Sequence, residues 1–244
     1  MKRIYADLHL RVDFNDLELV SRAINKAARL GYRLVAVPFP PRVAEEQVQQ
    51  VQKICEEAGV ELVSRTDLRP RTAAELLSWL RKFRRSFEII AVLCEAKDVA
   101  RQAAKDRRVD LLNFPQFDFR KRFFDAAEAE LASSSLASLE MEMRPLLILE
   151  GAARIRLLSS LRREVATAGE FHVPIVVSSG ASDELLMRKP MDLAALASLF
   201  DLNGASAIEA VSINPVAIVK RNREKLSSGF VAPGIRVVRG GKDC

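Results

Sequence analysis

The chain of 244 residues carries 38 Lys and Arg against 32 Asp and Glu, a net charge of +6, and 49% of its residues are hydrophobic. That content is enough for a substantial core, and no run of about 18 apolar residues is free of charge, which argues against a membrane span. The opening MKRIYADL has no room for the apolar region of a signal peptide, so we expect a soluble cytoplasmic protein, and the basic balance favours a polyanionic partner.

Short β-rich apolar runs alternate along the chain with longer stretches of helical periodicity. RIYADLHL precedes residues 16–31, where Leu17, Val20 and Ile24 recur at helical spacing and Gly31 provides a stop. The alternation continues through YRLVAVPF, VELVSRTDLR, FEIIAVLCE, VDLLNFP, LEMEMRPLLIL, VPIVVSSGA and ASAIEAVSINP. Because only a crossover returns the chain to begin a parallel neighbour, strands separated by helices indicate a parallel sheet.

Eight such units favour an α/β protein with a single TIM-like (β/α)8 barrel of parallel strands over an open doubly wound sheet. The count depends on two weaker strands, one beginning at Arg3 and one at Ala205. We expect one barrel domain over residues 1–244, in which 230–244 form a C-terminal tail with a short extra strand at 235–238. The irregular stretch after the fifth strand, PQFDFRKRFFDAAEAELASSSLAS, predicts a loop followed by a helix.

Polar residues follow most of the predicted strands, where barrels of this kind place their functional groups. Asp7, His9 and Arg11 project to the same side of the first strand, because alternate residues share a face. The predicted rim, in which acids and bases are mixed, comprises Asp7, His9, Arg11, Pro38, Pro40, Arg65, Asp67, Arg69, Cys94, Glu95, Asn113, Glu140, Glu142, Arg144, Ser178, Ser179, Ser212 and Asn214.

The histidine and cysteine counts argue against a zinc-type metal centre. Only His9 and His172 are present, whereas hydrolytic sites of two or three ions draw on several histidines. His172 lies in a helix-to-strand turn, which predicts the opposite end of the barrel, and three isolated Cys lack the paired spacing of a disulfide framework or zinc site. His9 is therefore interpreted as a hydrogen-bonded residue at the strand end, with a magnesium ion on Asp7 and either Asp67 or Glu142 as the alternative.

Five basic segments are candidates for contact with phosphates: LRKFRR, KDRR, FRKRFF, RIRLLSSLRR and KRNREK. Clustered Lys and Arg bind phosphates, and interleaved Phe stacks on unpaired bases. For FRKRFF we favour interaction, whereas solvated outer faces of barrel helices are the favoured interpretation of the other segments. The candidates for RNA or partner contact are Arg65, Arg69, Arg81, Lys82, Arg84, Arg85, Arg120, Lys121, Arg122, Lys220, Arg221 and Arg223.

An ordered set of motifs runs over nearly the whole chain: YADLHLR, LLNFP, LEMEMRPLL, PIVVSSGA and AVSINPVAIVKRN. In order and spacing the set resembles the family of protein component 3 of archaeal and eukaryotic ribonuclease P. The resemblance implies a (β/α)8 barrel related to the polymerase and histidinol phosphatase metallohydrolases, which open with His-x-His where Asp7 and His9 stand here. It thus implies loss of metal-hydrolase chemistry, and a former active-site mouth at Asp7, His9, Arg11, Asp67, Glu142, Arg144, Ser178 and Asn214.

The resemblance further implies a protein subunit of the ribonucleoprotein that cleaves precursor tRNA to make the mature 5′ end. Catalysis would reside in the RNA and its magnesium ions, and the protein would bind no cofactor of its own. The implied partners are ribonuclease P RNA, precursor tRNA, protein component 2 and other ribonuclease P proteins, without a membrane.

Two hypotheses from other classes stay open beside this non-catalytic subunit. One is a metal-dependent phosphoesterase that uses Asp7, His9, Asp67 and Glu142. The other is a protein-binding scaffold without RNA contact. If the chain is a subunit, we expect the corner around His9 to be held by hydrogen bonds or by an ion pair to Arg65 or Arg144.

Overall fold

A parallel sheet follows the chain in sequence order. The computed structural model describes residues 3–115, 117–118, 121–232 and 235–236. The first seven strands form one sheet in the order β1 to β7, in which each strand pairs with the next. The strands are β1 (Ala6–Asp7), β2 (Leu34–Pro38), β3 (Glu61–Leu68), β4 (Ile89–Leu93), β5 (Leu111–Asn113), β6 (Ser138–Glu142) and β7 (Ile175–Ser178).

Helices lie between the strands and after the last of them. They are α1 (Leu17–Leu30), α2 (Glu45–Glu57), α3 (Ala73–Phe83), α4 (Lys97–Lys105), α5 (Ala126–Ser135), α6 (Arg144–Ile148), α7 (Gly151–Glu170), α8 (Pro190–Ala197), α9 (Gly204–Ala210) and α10 (Ile213–Leu226). Local chemistry sets several of the boundaries. Asp16 accepts a hydrogen bond from Leu19 N at the start of α1, and Gly31, at φ 98°, ends that helix in a left-handed conformation.

Two apolar clusters follow from the alternation of side chains along the strands. The inner cluster fills the barrel and includes Leu8, Ala36 and Leu111. A larger cluster lies between the sheet and the surrounding helices and contains the buried thiols of Cys55 and Cys94. Ile218 and Val219 pack into the inner cluster, so α10 closes the end of the barrel at which the strands begin.

The predicted eighth strand is wrong. Residues 204–210 form α9, and α10 begins at Ile213. The segment GASAIEA is rich in Ala and lacks a β-branched run, so its intrinsic preference is helical. In the gap between β7 and β1, Ala6 N donates to the carbonyl of Val211, just after α9, at 3.1 Å. Beyond the strand ends, Gly180 N donates to His9 O at 3.0 Å and Arg11 N to Ala181 O at 2.7 Å, so the barrel is nearly closed.

Two regions lie outside the predicted alternation of strands and helices: the stretch after the fifth strand and the C-terminal tail. The structure describes part of each. After the fifth strand a loop leads into α5, whose Asp125 and Glu128 form a capping box, as predicted for a loop followed by a helix. In the tail, β8 (Phe230–Ala232) pairs antiparallel with β9 (Ile235–Arg236), and residues 237–244 lie outside the described part of the chain. None of the helices among the described residues is long and apolar enough to cross a membrane.

Candidate functional site at the mouth of the barrel

Arg65 lies at the centre of a charged network where the strands end. Its guanidinium is fully buried and donates to both carboxylate oxygens of Glu140 at 2.6 and 2.7 Å. The same group donates to Asp67 Oδ1 at 2.6 Å and to the Leu8 carbonyl at 2.6 Å. Arg65 on β3 thereby joins β6, across the barrel, to the backbone that follows β1, with the planar two-pronged geometry that suits Arg.

His9 lies among three carboxylates. Its Nε2 is 3.0 Å from Asp67 Oδ2, and its Nδ1 is 3.1 Å from Glu142 Oε1 and 3.6 Å from Glu140 Oε2. These contacts are ion pairs and not hydrogen bonds, because the angles at the ring nitrogens are unsuitable for a hydrogen bond. Burial and the charge of Arg65 lower the pKa of His9, but the three carboxylates outweigh them and hold that pKa well above its usual value.

Glu140 and Glu142 are both ionised in this setting. Burial raises their pKa values, but Arg65 and His9 hold the pKa of Glu140 well below its usual range, and His9 and Arg11 bring that of Glu142 to about 2. Arg11 donates to Glu142 at 2.8 Å, and Asn113 Nδ2 donates to both carboxylates at 2.9 and 2.6 Å. Three cations thus face three carboxylates, and the network is neutral: Arg11, His9 and Arg65 against Asp67, Glu140 and Glu142.

Asp7 has a separate role at the gap left by the missing eighth strand. Its Oδ1 accepts from Ser179 N at 3.0 Å, beyond the end of β7, and from His9 N at 3.2 Å. Its other oxygen has no hydrogen-bond partner among the residues that the structure describes, and burial raises the pKa of the carboxyl. Asp7 therefore ties the first strand to the loop after the seventh.

The Ser-Ser-Gly turn after β7 packs directly on the network. Gly180 has φ +62°, and a Cβ added there would lie 2.6 Å from Glu142 Oε2. Ser178 Oγ donates to Glu140 Oε1 at 2.8 Å. The turn thus serves close packing and support of the carboxylates, and glycine is required by both the backbone conformation and the space.

A divalent cation does not fit this donor set while Arg65 is in place. His9, Glu140 and Glu142 each offer one ligand atom, and these atoms lie within 4.8 Å of one another. The same carboxylates already accept from Arg65 and Arg11 and face a protonated His9. A metal ion would add two charges to a network that is already neutral, and would have to displace a buried guanidinium.

Most of the predicted mouth residues come together, and one of them, Asn214, lies elsewhere. The structure gathers Asp7, His9, Arg11, Asp67, Glu142 and Ser178 at the mouth. Asn214 lies instead at the opposite end, where its Nδ2 donates to Ile175 O at the start of β7, because its predicted strand is helical. Arg65 does not pair with the corner itself but with Asp67 and Glu140, which also face His9, and Arg144 has no ion pair with this corner among the described residues.

The sequence did not reveal the role of Glu140, which is to hold the guanidinium of Arg65. The sequence feature that points to this role is the alternation Glu140-x-Glu142 in a buried strand, because alternate residues place both carboxylates on one face. His172 is exposed beside the start of β7, at the opposite end of the barrel, as predicted.

Two predicted phosphate ligands are buried and cannot reach RNA. Arg65 belongs to the network described above, and Arg122 is paired with Glu164, which is also buried. Arg69 is exposed but makes a two-pronged contact with Glu95. Arg120 lies outside the described residues.

Other predicted cations are engaged in ion pairs at the end where the strands begin. Arg84 and Arg221 both pair with Asp110, which precedes β5. Arg223 pairs with Glu61 and Glu88, next to β3 and β4. The remaining candidates, Arg81, Lys82, Arg85, Lys121 and Lys220, are exposed.

Exposed cations cluster around Asp110 at the C-terminal ends of three helices. Burial and the neighbouring charge of Arg221 lower the pKa of Lys225, and Arg84 and Arg107 act in the same direction, so these four cations lie near one another. The ends of the same three helices carry further exposed cations. We call the exposed cations at these helix ends the basic surface; they have no ion pair within 4.0 Å in the described ranges of the chain: Arg81, Lys82 and Arg85 at the end of α3, Lys105 and Arg107 at the end of α4, and Lys225 from α10.

The protonation of His9 gives an expected pH dependence. A raised pKa in the folded state means that this stabilisation is complete below the unfolded value of about 6.5 and is lost as the pH rises. His9→Gln is therefore expected to lower the free energy of unfolding more at pH 6 than at pH 9, as measured by urea unfolding. The exposed His172→Gln is the control, and a His9 effect of equal size at both pH values would contradict a charged imidazole.

Comparison with known proteins gives the family. The model of the family described as RNase P subunit p30 matches residues 4–227. Ribonuclease P protein component 3 of Methanosarcina acetivorans is 34% identical over 182 residues, which cover 75% of this chain and 75% of that protein. The chain belongs to the RNase P subunit p30 family. It is thus a protein subunit of ribonuclease P, the holoenzyme that the sequence resemblance implied.

Solved structures agree on the fold of this ribonuclease P subunit. A chain of archaeal ribonuclease P with mature tRNA superposes with a TM-score of 0.83 at 20% identity, covering 98% of this chain and 100% of that one. The ochratoxinase of A. niger superposes with a TM-score of 0.59 at 12% identity, covering 89% and 71%. The predicted TIM-like α/β barrel is confirmed, with seven strands in place of eight.

Proposed function

We propose that this subunit is non-catalytic and binds ribonuclease P RNA and precursor tRNA through the basic surface. In this role it supports the structure and activity of the catalytic RNA, together with protein component 2 and the other ribonuclease P proteins. The relatives named ribonuclease P protein component 3 support the assignment, as does the likeness to a chain solved in archaeal ribonuclease P with mature tRNA.

The observation that carries the RNA contact is the surplus of unpaired charge on the basic surface. The neighbouring carboxylates are already in ion pairs, Asp110 with Arg84 and Arg221 and Asp106 with Arg108, and the outer cations have no ion pair within 4.0 Å among the described residues. Some positive charge at helix C-termini is expected from the helix dipole alone. The cations at the ends of these three helices are more numerous than the helix dipoles account for. Together they form a surface suited to a phosphate backbone.

Reversing three charges on α3 is expected to weaken RNA binding strongly. The combined variant Arg81→Glu, Lys82→Glu and Arg85→Glu should lower the affinity for ribonuclease P RNA by about tenfold or more at low salt. Each lost phosphate contact removes roughly 0.9 from the slope of log affinity against log salt, so the slope should become shallower by up to about 3. Filter binding across a salt series measures both quantities.

A matched three-charge reversal provides the control. Lys26→Glu, Arg29→Glu and Lys53→Glu change cations on α1 and α2, away from the basic surface. This variant should keep the wild-type salt slope and lose little affinity. Equal losses in the two variants, or no loss in either with the fold intact, would rule out the basic surface as the RNA contact.

We also propose that the subunit holds no cofactor and that the magnesium of the reaction is bound by the RNA. The neutral network at the mouth supports this, because Arg65 occupies the position where a cation would meet Glu140 and Asp67. The phosphoesterase alternative uses Asp7, His9, Asp67 and Glu142 for metal, but Asp67 accepts from Arg65 and Glu142 accepts from Arg11. It is therefore disfavoured by the same contacts.

A further inference from the structure

A polar cavity lies over the buried network at the barrel mouth. Its volume is about 390 Å³, which is within the range of small-ligand sites. Arg11 and Asn113 belong both to the network and to the cavity wall. The mouth cavity is lined by Arg11, Arg69, Leu93, Glu95, Asn113, Phe114, Pro115, Phe117, Asp118, Lys121 and Arg144.

The cavity wall carries more positive than negative charge. Two of its four cations have carboxylates on the same wall, since Arg69 pairs with Glu95 and Lys121 lies 3.8 Å from Asp118. Arg11 reaches down to Glu142 but leaves 41% of its side chain exposed. Of the four cations, Arg144 therefore has no ion pair among the described residues, and the partner of Arg11 lies in the network below the wall.

Arg144 is the cation with least support from the protein. It has no ion pair within 4.0 Å in the parts of the chain that the structure describes, and its Nε is buried without a hydrogen-bond partner. Its backbone is fixed, because its N–H donates to the Ser179 carbonyl at 2.8 Å. A buried donor without a partner is costly, so an acceptor from outside the chain would be favourable at this position.

An aromatic ring completes the cavity. Phe117 lines the wall with 56% of its surface exposed, whereas neighbouring Phe114 is buried and makes edge contacts with Phe123 and Phe124. Core packing therefore accounts for the presence of Phe114, whereas it does not account for the exposed ring of Phe117. An exposed ring beside an unpaired guanidinium group and a second, partly exposed one is the combination that binds unpaired nucleotides, by stacking on the base and pairing with the phosphate.

We propose that the mouth cavity binds one unpaired nucleotide of RNA, with its phosphate on Arg144 and Arg11 and its base against Phe117. The inference rests on the proposed function, since it adds a second RNA contact to the basic surface, at the opposite end of the barrel. An acidic peptide would meet the guanidinium groups but would leave the ring of Phe117 unused. The observations therefore favour RNA over a protein ligand.

The test uses the full chain with the three α3 charges reversed, so that binding at the basic surface is suppressed. The probes are a labelled single-stranded RNA pentamer, inorganic phosphate and an aspartate-rich peptide. Phe117→Ala should weaken pentamer binding about tenfold and leave phosphate binding unchanged. Arg144→Gln should weaken both, and Arg29→Gln, on α1, should weaken neither.

Thermal unfolding of each variant checks that the fold is intact. Pentamer binding that is unchanged in both mouth variants would overturn the proposal, as would a peptide that binds more tightly than the pentamer. Failure of the proposed function would give a different result. In that case reversing the three charges at the end of α3 would leave the affinity for ribonuclease P RNA unchanged, whether or not Phe117→Ala and Arg144→Gln weaken pentamer binding.

Discussion

Replacing Arg65 by Met is expected to lower the free energy of unfolding by about 3–5 kcal/mol, because it leaves carboxylates in the barrel without their cation. Glu140 is fully buried and loses both of its short contacts with the guanidinium, and Asp67 loses one. His9 and Arg11 together cannot balance the three carboxylates of the network. Urea unfolding at neutral pH measures the change.

Arg69→Met is the matched control for this result. Arg69 lies four residues further along the chain and also makes a two-pronged contact with a carboxylate, but 69% of its side chain is exposed. Exposed pairs of this kind contribute less than about 1 kcal/mol. If the two variants lost similar stability, the buried network would not be what stabilises the barrel mouth.

Arg122→Met is expected to have an effect of the same size for a related reason. Arg122 pairs with Glu164 on α7, and both side chains are buried. It also donates to the carbonyls of Phe114 and Pro115, which line the mouth cavity. Removing it should cost about 3–5 kcal/mol in the free energy of unfolding, because Glu164 is left as an uncompensated buried charge.

The double variant Arg122→Met and Glu164→Leu separates loss of the pair from loss of packing. Replacing a buried pair by apolar side chains of similar volume is often neutral, so most of the stability should return. Chemical unfolding of both variants gives the comparison. A double variant as unstable as Arg122→Met would show that the cost comes from the loop carbonyls and not from Glu164.

The sequence predicted the barrel and the corner at His9 because both depend on local periodicity. Alternation in the first strand puts Asp7, His9 and Arg11 on one face wherever that strand ends. The bond between Arg65 and Glu140 joins residues 75 positions apart. Which base meets which acid across a barrel depends on strand order and tilt, and a single sequence does not specify these.

Burial explains the other differences between sequence and structure. Arg122 stands in the basic run FRKRFF, and its neighbours give no sign that it would turn inward to Glu164. The segment at Ala205 is short and apolar, so periodicity alone does not distinguish a strand from a helix there. Its alanines favour the helix, and this moves Asn214 to the opposite end of the barrel.

The central claim is that this subunit binds RNA and leaves the chemistry to it. The most direct measurement follows 5′ cleavage of precursor tRNA in magnesium or manganese by the isolated chain, by the RNA with the other protein components, and by the complete complex. We expect no turnover by the chain alone, and a rate in the complete complex that falls when the α3 charges are reversed. Metal-dependent cleavage by the chain alone that Glu142→Gln abolishes would contradict the claim.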